Sequence, residues 1–284
     1  MNIRFGPSGN DKLFYESGYK STTQAPKWLR EVVGLDALEI SFGRGIRMSV
    51  DTAAKIGDEA KKYDIEISVH APYYINLVNS ENFDKNYRWI EQSLILAKAM
   101  GGKRVIVHPA SQGDYERKEA LRITADNLAR VINKLDENGY NDFLLCIETM
   151  GRYSNIGNVQ EICDLCKIDS RIVPTLDFGH INCLLQGELS RNPEKFFEIM
   201  DFVELQIGKE KMKNIHIHFS AIVYSDKGER HHTILSDTQW TIPFEPLGKI
   251  LKDKKLTNAI VICESEYIMA QDAKTLKNIF ESQI

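Results

Sequence analysis

Eight short runs of β-branched and apolar residues, separated by longer helix-period segments, constrain the fold of this chain more than any other feature. Most of these runs are apolar up to their last residue, which is typical of parallel strands that are covered on both faces. The predicted strands are Ile3–Phe5, Ala37–Phe42, Glu66–His70, Arg104–His108, Phe143–Glu148, Val173–Asp177, Asn214–Phe219 and Ala259–Glu264.

The segments between the strands have the spacing of amphipathic helices. Asp51 is the expected N-cap of the first of them, and residues 220–244 form the longest irregular stretch, which we expect to be a functional or mobile loop. The predicted helices are Thr52–Tyr63, Asp84–Met100, Glu116–Asn138, Val159–Cys166, Pro193–Ile207, Pro246–Lys254 and Asp272–Ser282.

This alternation predicts an α/β fold, a single (β/α)8 TIM barrel that occupies residues 1–284. One such barrel typically takes ~250 residues, so the length fits. An open, doubly wound sheet is the structural alternative. The G-x-G-x-x-G motif that would support it does not follow the first strand.

Composition excludes some classes of protein. The formal net charge of −4 gives no indication of nucleic-acid binding through bulk charge. No apolar run approaches the about 18 residues of a membrane span, and the N-terminus has no signal-peptide core, so we expect a cytoplasmic protein without a membrane partner. The five cysteines form no even framework, and we expect Cys163 and Cys166 to be core thiols on a helix face.

The seven histidines give the first indication of a functional site. Every one lies at a predicted strand end or in the long loop after the seventh strand, and none lies on a predicted helix. Barrel active sites are built from the C-terminal ends of strands, whereas structural histidines would also be scattered over the helices. The seven are His70, His108, His180, His216, His218, His231 and His232.

Carboxylates follow the same rule. Glu148, Asp177 and Glu264 end apolar strands, where a charge is expensive to bury unless a cation or another partner stabilises it. Further ligands are available from His180, three residues after Asp177, and from the segment 229–232. Histidine and carboxylate ligands with little thiolate suit Zn²⁺, with Mn²⁺ or Fe²⁺ as alternatives.

Several motifs recur in the order and spacing of one known family. They are H-A-P-Y-Y-I-N-L from His70, V-H-P from Val107, E-T-M-G from Glu148, S-N-I-G from Ser154, D-F-G-H from Asp177, H-I-H from His216, E-R-H from Glu229 and E-S from Glu264. From the third strand to the eighth, the chain thereby resembles the endonuclease IV family of zinc-dependent apurinic/apyrimidinic endonucleases. It is most similar to the shorter, archaeal-type branch, within the xylose-isomerase-like TIM barrel superfamily.

The resemblance implies two or three zinc ions, with manganese as an alternative, and DNA containing abasic sites as the partner. Its catalytic carboxylates would be Glu148 and Glu264, and Tyr73 matches a position near the DNA. Arg44 and Arg47, in the loop after the second strand, are candidates for phosphate contact, with ordinary exposed loop arginines as the alternative. The first ion would be bound by His70, His108 and Glu148, the second by Glu148, Asp177, His216 and Glu264, and the third by His180, Glu229 and His231.

Some ligand assignments stay open at this point. His216 and His218 are two residues apart on one strand and share a face, so either can be the ligand. His231 and His232 raise the same question. Glu229 stands where the bacterial enzymes usually have Asp, so both an intact and an altered third site stay open.

Three functions are compatible with these residues. The leading hypothesis is an endonuclease that hydrolyses the phosphodiester 5′ to abasic sites in base excision repair, with no obligate protein partner. The alternative is a metal-dependent sugar isomerase or epimerase of the same superfamily, which uses fewer histidines. A third hypothesis is a nucleic-acid-binding or metal-storage relative without turnover.

Overall fold

A computed structural model describes residues 3–283 and contains a sheet of eight parallel strands. Their order around the barrel is β1, β8, β7, β6, β5, β4, β3, β2, so the strands from β2 to β8 each pair with their sequence neighbours and β1 pairs with β8. The predicted barrel is confirmed. The strands are β1 Arg4–Pro7, β2 Ala37–Ser41, β3 Glu66–His70, β4 Arg104–Val107, β5 Leu144–Glu148, β6 Ile172–Asp177, β7 His216–His218 and β8 Ile260–Cys263.

The barrel is nearly closed where β1 meets β2. A single parallel bridge, between Ser8 and Glu39, joins the two strands. Gly6 allows the close approach, because a Cβ at this position would lie only 1.9 Å from the carbonyl oxygen of Ala37. We conclude that this seam depends on the missing side chain of Gly6.

Helices surround the strands. They are α1 Lys12–Glu16, α2 Ala25–Trp28, α3 Val50–Tyr63, α4 Phe83–Ala99, α5 Arg117–Glu137, α6 Val159–Cys166, α7 Phe178–Leu184, α8 Glu188–Arg191, α9 Glu194–Ile207, α10 Lys209–Met212, α11 Glu245–Asp253 and α12 Met269–Ser282, with a π-helical turn at Leu29–Val33 and 3-10 turns at Thr22–Gln24 and Ser80–Asn82. No helix within residues 3–283 has both the length and the apolar content needed to cross a bilayer.

The predicted helices agree with the observed ones to within three residues at each end. The predicted N-cap of α3 is wrong: Ser49, with an extended backbone, accepts the N–H of Thr52 on its hydroxyl, and Asp51 lies in the first turn. Cys163 and Cys166 are buried on α6, as predicted.

The segment after β7 is more ordered than the sequence indicates. Within residues 220–244, Ala221–Ser225 and Gly228–Thr233 pair as an antiparallel hairpin. A second short pair, Ala110–Ser111 with Asn155–Ile156, joins the loops that follow β4 and β5. Both pairs lie on connections that leave the C-terminal ends of strands, where they shape the mouth of the barrel.

The barrel interior is unusually polar towards its C-terminal end. Because alternate residues of a strand face the same side, His218 at the end of β7 has His216 beneath it on the same face. Glu39 of β2 and Ser68 of β3 are buried with them. The layer of apolar side chains that closes many barrels is therefore partly replaced by histidines and carboxylates.

Candidate metal centre

Four groups of histidines and carboxylates among the described residues have the spacing of metal ligands. Three of them adjoin one another at the C-terminal end of the barrel, and the fourth, formed by Glu39, His216 and His218, lies one layer deeper. The first group consists of His70, His108 and Glu148, whose ligand atoms lie within 4.8 Å of one another. The Nε2 atoms of His70 and His108 are 3.0 and 3.2 Å from Oε2 of Glu148. His70 and Glu148 are buried, and His108 is half-buried at the edge of the cavity.

The second group shares Glu148 with the first and adds Asp177, His218 and Glu264. Nδ1 of His218 lies 3.2 Å from Oε1 of Glu148 and 3.4 Å from Oε2 of Glu264. Oδ2 of Asp177 is buried and accepts no hydrogen bond from the described residues. An unsatisfied buried carboxylate oxygen is costly, and a cation at this position would remove that cost.

The third group consists of His180, Glu229 and His232. His180 lies in α7, which corrects the expectation that no histidine is helical. Oδ1 of Asp177 caps this helix by accepting the N–H of His180 at 2.8 Å. In the D-x-x-H motif, Asp177 therefore has two roles: it belongs to the second group and it is the N-cap of α7. His180, three residues later in that helix, belongs to the third group.

The structure corrects the expectation for His231. Val223 lies opposite His231 and Tyr224 opposite Glu229, so Arg230 is an extra residue and the hairpin contains a β-bulge. The bulge shifts the alternation of side chains by one position. His232 therefore joins Glu229 in the third group, whereas His231 is exposed.

The structure also separates His216 from the expected second group. His218 occupies that place, and Nε2 of His216 lies 3.0 Å from Oε2 of Glu39, one layer deeper in the barrel. The sequence reading missed Glu39. A carboxylate in the middle of the apolar run Ala37–Phe42 was the available signal, since such a position in a barrel strand is buried.

Hydrogen bonds fix the orientation of several imidazoles. Nδ1 of His70 lies 2.8 Å from the carbonyl of Ala71, and Nδ1 of His180 lies 2.9 Å from the carbonyl of Thr149. Because a carbonyl only accepts, Nδ1 carries a proton in both rings, so in the neutral imidazole that binds a metal Nε2 is the nitrogen with the lone pair. This arrangement is typical of histidines that bind metals.

The buried carboxylates of the three groups are stabilised by nearby positive charge. Burial opposes the ionisation of Glu264, but the charge of His218 outweighs it and lowers the pKa of Glu264 to about 2. Burial also opposes the protonation of His180, yet Asp177 and Glu148 raise its pKa well above the ordinary value. Divalent cations bound among these carboxylates would supply positive charge in place of protons on the imidazoles.

The predicted DNA contacts lie at different distances from the groups. The Tyr73 ring stacks on the His108 ring, with centroids 5.1 Å apart and an interplanar angle of 15°. Arg44 and Arg47 are exposed on the loop 42–49, which contacts Tyr73 through a hydrogen bond from the Tyr73 N–H to the carbonyl of Gly43. The structure thus brings Tyr73 to the first group and places the two arginines on an adjoining loop.

All three groups contribute to one cavity of about 210 Å³. Glu148 and Glu264 are the members of the second group that line it. A larger apolar cavity of about 490 Å³ lies between α6, α7 and α9, and none of the residues of the three groups lines it. We therefore assign the chemistry to the smaller cavity.

Comparisons with known proteins identify the family. The model of the family described as xylose isomerase-like TIM barrel matches residues 26–279. An uncharacterized protein, MJ0133 of Methanocaldococcus jannaschii, is 32% identical over 82% of this chain and 83% of its own length. A probable endonuclease 4 of Malacoplasma penetrans is 28% identical over 77% of this chain and 74% of its own.

Solved structures share the fold. Endonuclease IV from Thermus thermophilus has a TM-score of 0.70 and 18% identity, with 98% of this chain and 99% of that chain covered. A D-tagatose 3-epimerase-like protein also has a TM-score of 0.70, at 19% identity, with 99% and 98% covered. At this identity the structures support the fold alone, and together with the sequence relatives they confirm the predicted resemblance.

Proposed function

The chain belongs to the xylose isomerase-like TIM barrel family, and within that family we propose that it is a zinc-dependent endonuclease that cleaves DNA on the 5′ side of abasic sites. One observation carries the proposal: three groups of histidines and carboxylates adjoin one another around a single cavity, and Glu148 is common to two of them. Clustered metal ions supply Lewis-acid activation of a phosphodiester and of water at neutral pH.

The ligand sets follow the three groups. The first is His70, His108 and Glu148. The second is Glu148, Asp177, His218 and Glu264, with His218 in the place expected for His216. The third is His180, Glu229 and His232, with His232 in the place expected for His231.

Glu148 and Glu264 are the proposed catalytic carboxylates. Both line the cavity, so their oxygens can hydrogen-bond a water molecule and orient it towards a phosphate. The cavity of about 210 Å³ is smaller than the ~300–1,000 Å³ typical of small-molecule sites. The size fits a single phosphodiester group that enters the cavity while the rest of an extended substrate lies across the rim.

The rim around the cavity suits a nucleic acid. Five of its tyrosines are exposed on loops after β3, β4, β5 and β8, and aromatic rings of this kind stack with bases or fill the space of a missing base. Five acidic residues, at positions 39, 148, 177, 229 and 264, lie in or beneath the barrel mouth. Without these five negative charges, the formal charge of the rest of the chain is +1 instead of −4. The exposed tyrosines are Tyr73, Tyr74, Tyr115, Tyr153 and Tyr267.

An incision assay tests the proposal. The purified, zinc-loaded protein is incubated with a duplex that carries one abasic site and is labelled at its 5′ end, beside an undamaged duplex of the same sequence. We expect a single cut immediately 5′ to the lesion and none in the control. If a protein shown to hold at least two zinc ions leaves both duplexes intact, the proposed reaction is wrong.

One observation favours a second function, a metal-dependent sugar isomerase or epimerase. The second group is rich in carboxylates and could hold one ion without help from the other two. Metal counting separates the functions: one ion per chain with turnover of a ketose supports the epimerase, and two or three ions with DNA incision support the nuclease.

A further inference from the structure

A buried polar cluster lies beneath the second group. It consists of Glu39 on β2, Ser68 on β3 and His216 on β7, and at most 1% of each residue is exposed. Oε2 of Glu39 lies 3.0 Å from Nε2 of His216 and accepts the hydroxyl of Ser68 at 2.9 Å. None of these residues lines the cavity, so a direct contact with substrate does not explain them.

The contacts of His218 differ from those of the other imidazoles. In both His70 and His180, Nδ1 is hydrogen-bonded to a backbone carbonyl. Nε2 of His70 lies 3.0 Å from Oε2 of Glu148, and Nε2 of His180 lies 3.5 Å from Oε2 of Glu229. In His218 the roles are exchanged: Nδ1 faces Glu148 and Glu264, and Nε2 lies 3.2 Å from Oε1 of Glu39.

The last two atoms, Nε2 of His218 and Oε1 of Glu39, are both buried, and neither makes a hydrogen bond of ordinary geometry with the described residues. An unpaired buried donor or acceptor costs free energy of ~1–3 kcal/mol. A hydrogen bond between these two atoms would remove that cost, since they already lie at ion-pair distance from each other.

We propose that Glu39 is a positioning residue for the metal centre. Its carboxylate accepts a hydrogen bond from the Nε2–H of His218, which leaves Nδ1 of that imidazole as the nitrogen that coordinates the ion of the second group. The proposal rests on the proposed function, in which His218 is a metal ligand. A carboxylate that holds the far nitrogen of a ligand histidine fixes its tautomer and raises its basicity.

His216 and Ser68 hold Glu39 in turn. An ionised carboxylate only accepts hydrogen bonds, so it can serve His218, His216 and Ser68 together. A glutamine has one acceptor oxygen and a donor nitrogen, and it cannot serve both imidazoles in the same way. Leucine has a similar size and removes the acceptor altogether.

The test compares zinc affinity in the wild type with that of Glu39→Gln and Glu39→Leu. Free zinc is set by a competing chelator, and bound ions are counted at each concentration. Loss of an outer-shell partner typically weakens metal binding by ~10–100-fold. We expect one ion to bind ~10-fold more weakly in Glu39→Gln and ~100-fold more weakly in Glu39→Leu, and higher zinc to restore the full count in both.

Glu161→Gln is the matched control. Glu161 is also buried, but its partners are Arg117 and the N–H groups of Gly157 and Asn158 at the start of α6. We expect this variant to lose stability and to keep wild-type zinc affinity. Circular dichroism of every variant before titration separates weak metal binding from unfolding.

The outcomes separate this inference from the proposed function. A wild type that binds no zinc contradicts the metal centre as a whole. Unchanged affinities in folded Glu39 variants overturn the positioning role alone. The positioning role is also overturned if the wild type binds four ions and both variants bind only three at every zinc concentration. Glu39, His216 and His218 would then form an ion site of their own.

Discussion

His231 and His232 are adjacent in the chain, yet only His232 points into the third group. We predict that His232→Ala removes one bound zinc ion and lowers the rate of incision by more than the ~100-fold that marks the upper end of outer-shell effects. Zinc analysis of the purified variant and the incision assay measure the two quantities.

His231→Ala is the natural control for this prediction. Its side chain is exposed, and it lies on the opposite face of the bulged strand. It should keep both the ion count and the rate. If His231→Ala lost the ion and His232→Ala kept it, the assignment of His232 as the ligand would be wrong.

Most of the site could be predicted from the sequence because of where its residues lie. Glu148 and Asp177 end apolar strands and Glu264 directly follows one, and parallel strands in a barrel bring such ends together. The choice between His231 and His232 could not be made, since one inserted residue reverses the two-residue period. Glu39 was missed because it lies inside a strand and contacts residues about 177 positions away.

At the scale of elements, the seam between β1 and β2 is a sensitive point. In Gly6→Ala, the new methyl would lie 1.9 Å from the carbonyl oxygen of Ala37, in the backbone of the adjoining strand. We expect a loss of ~1–3 kcal/mol or more in the free energy of unfolding, as for other overpacked positions. Urea denaturation measures the change.

Gly248→Ala provides the comparison for the seam. Gly248 lies inside α11, and its added methyl would approach the side-chain oxygen of Gln283, the end of a flexible side chain. Alanine is favoured over glycine in a helix by ~0.5–1 kcal/mol. Equal destabilisation by both substitutions would mean that the close approach at Gly6 is not special.

The ion pairs between the loop that precedes β6 and the end of α5 are predicted to make stability depend on pH. The side chain of Arg171 bonds to Asp169 and Asp136, and these bonds lower the pKa of both carboxyl groups below the ordinary value of 3.8. A carboxyl group whose pKa is lower in the folded than in the unfolded state stabilises the protein at pH values above its unfolded-state pKa. This contribution is lost as the pH falls through the folded-state pKa.

Arg171→Met keeps most of the apolar stem over Phe143 and removes the charge. We expect this variant to be less stable than the wild type at pH 7, with a difference that narrows as the pH falls below about 4. Denaturation series at several pH values give the difference directly. A difference that is constant with pH would show that the arginine acts through packing alone.

At the scale of the whole molecule, the fold was more predictable than the site. The barrel follows from eight runs of one type separated by helices, and the structure adds mainly short elements that periodicity cannot detect. The hairpin after β7 is one of these, because the segment Ala221–Thr233 has no apolar alternation that continues through its bulge. The cytoplasmic location and the lack of an obligate protein partner stay predictions.

The metal centre joins distant parts of the chain, and this should be visible in global stability. The three groups take side chains from the ends of β3, β5, β6 and β7, from the residues that follow β4 and β8, from α7 and from the hairpin. The unfolded chain has no such preformed site, so zinc should bind the folded state almost exclusively.

Zinc should therefore raise the free energy of unfolding by RT ln(1 + [Zn]/Kd), or ~2.7 kcal/mol when free zinc is 100-fold above Kd. Thermal unfolding of the zinc-loaded and chelator-treated protein tests this, and the midpoint should rise steadily with free zinc. Glu264→Gln should reduce the rise, because it removes a charged member of the second group without altering its volume. An identical midpoint at every zinc concentration would mean that the side chains at the barrel mouth hold one another together without cations.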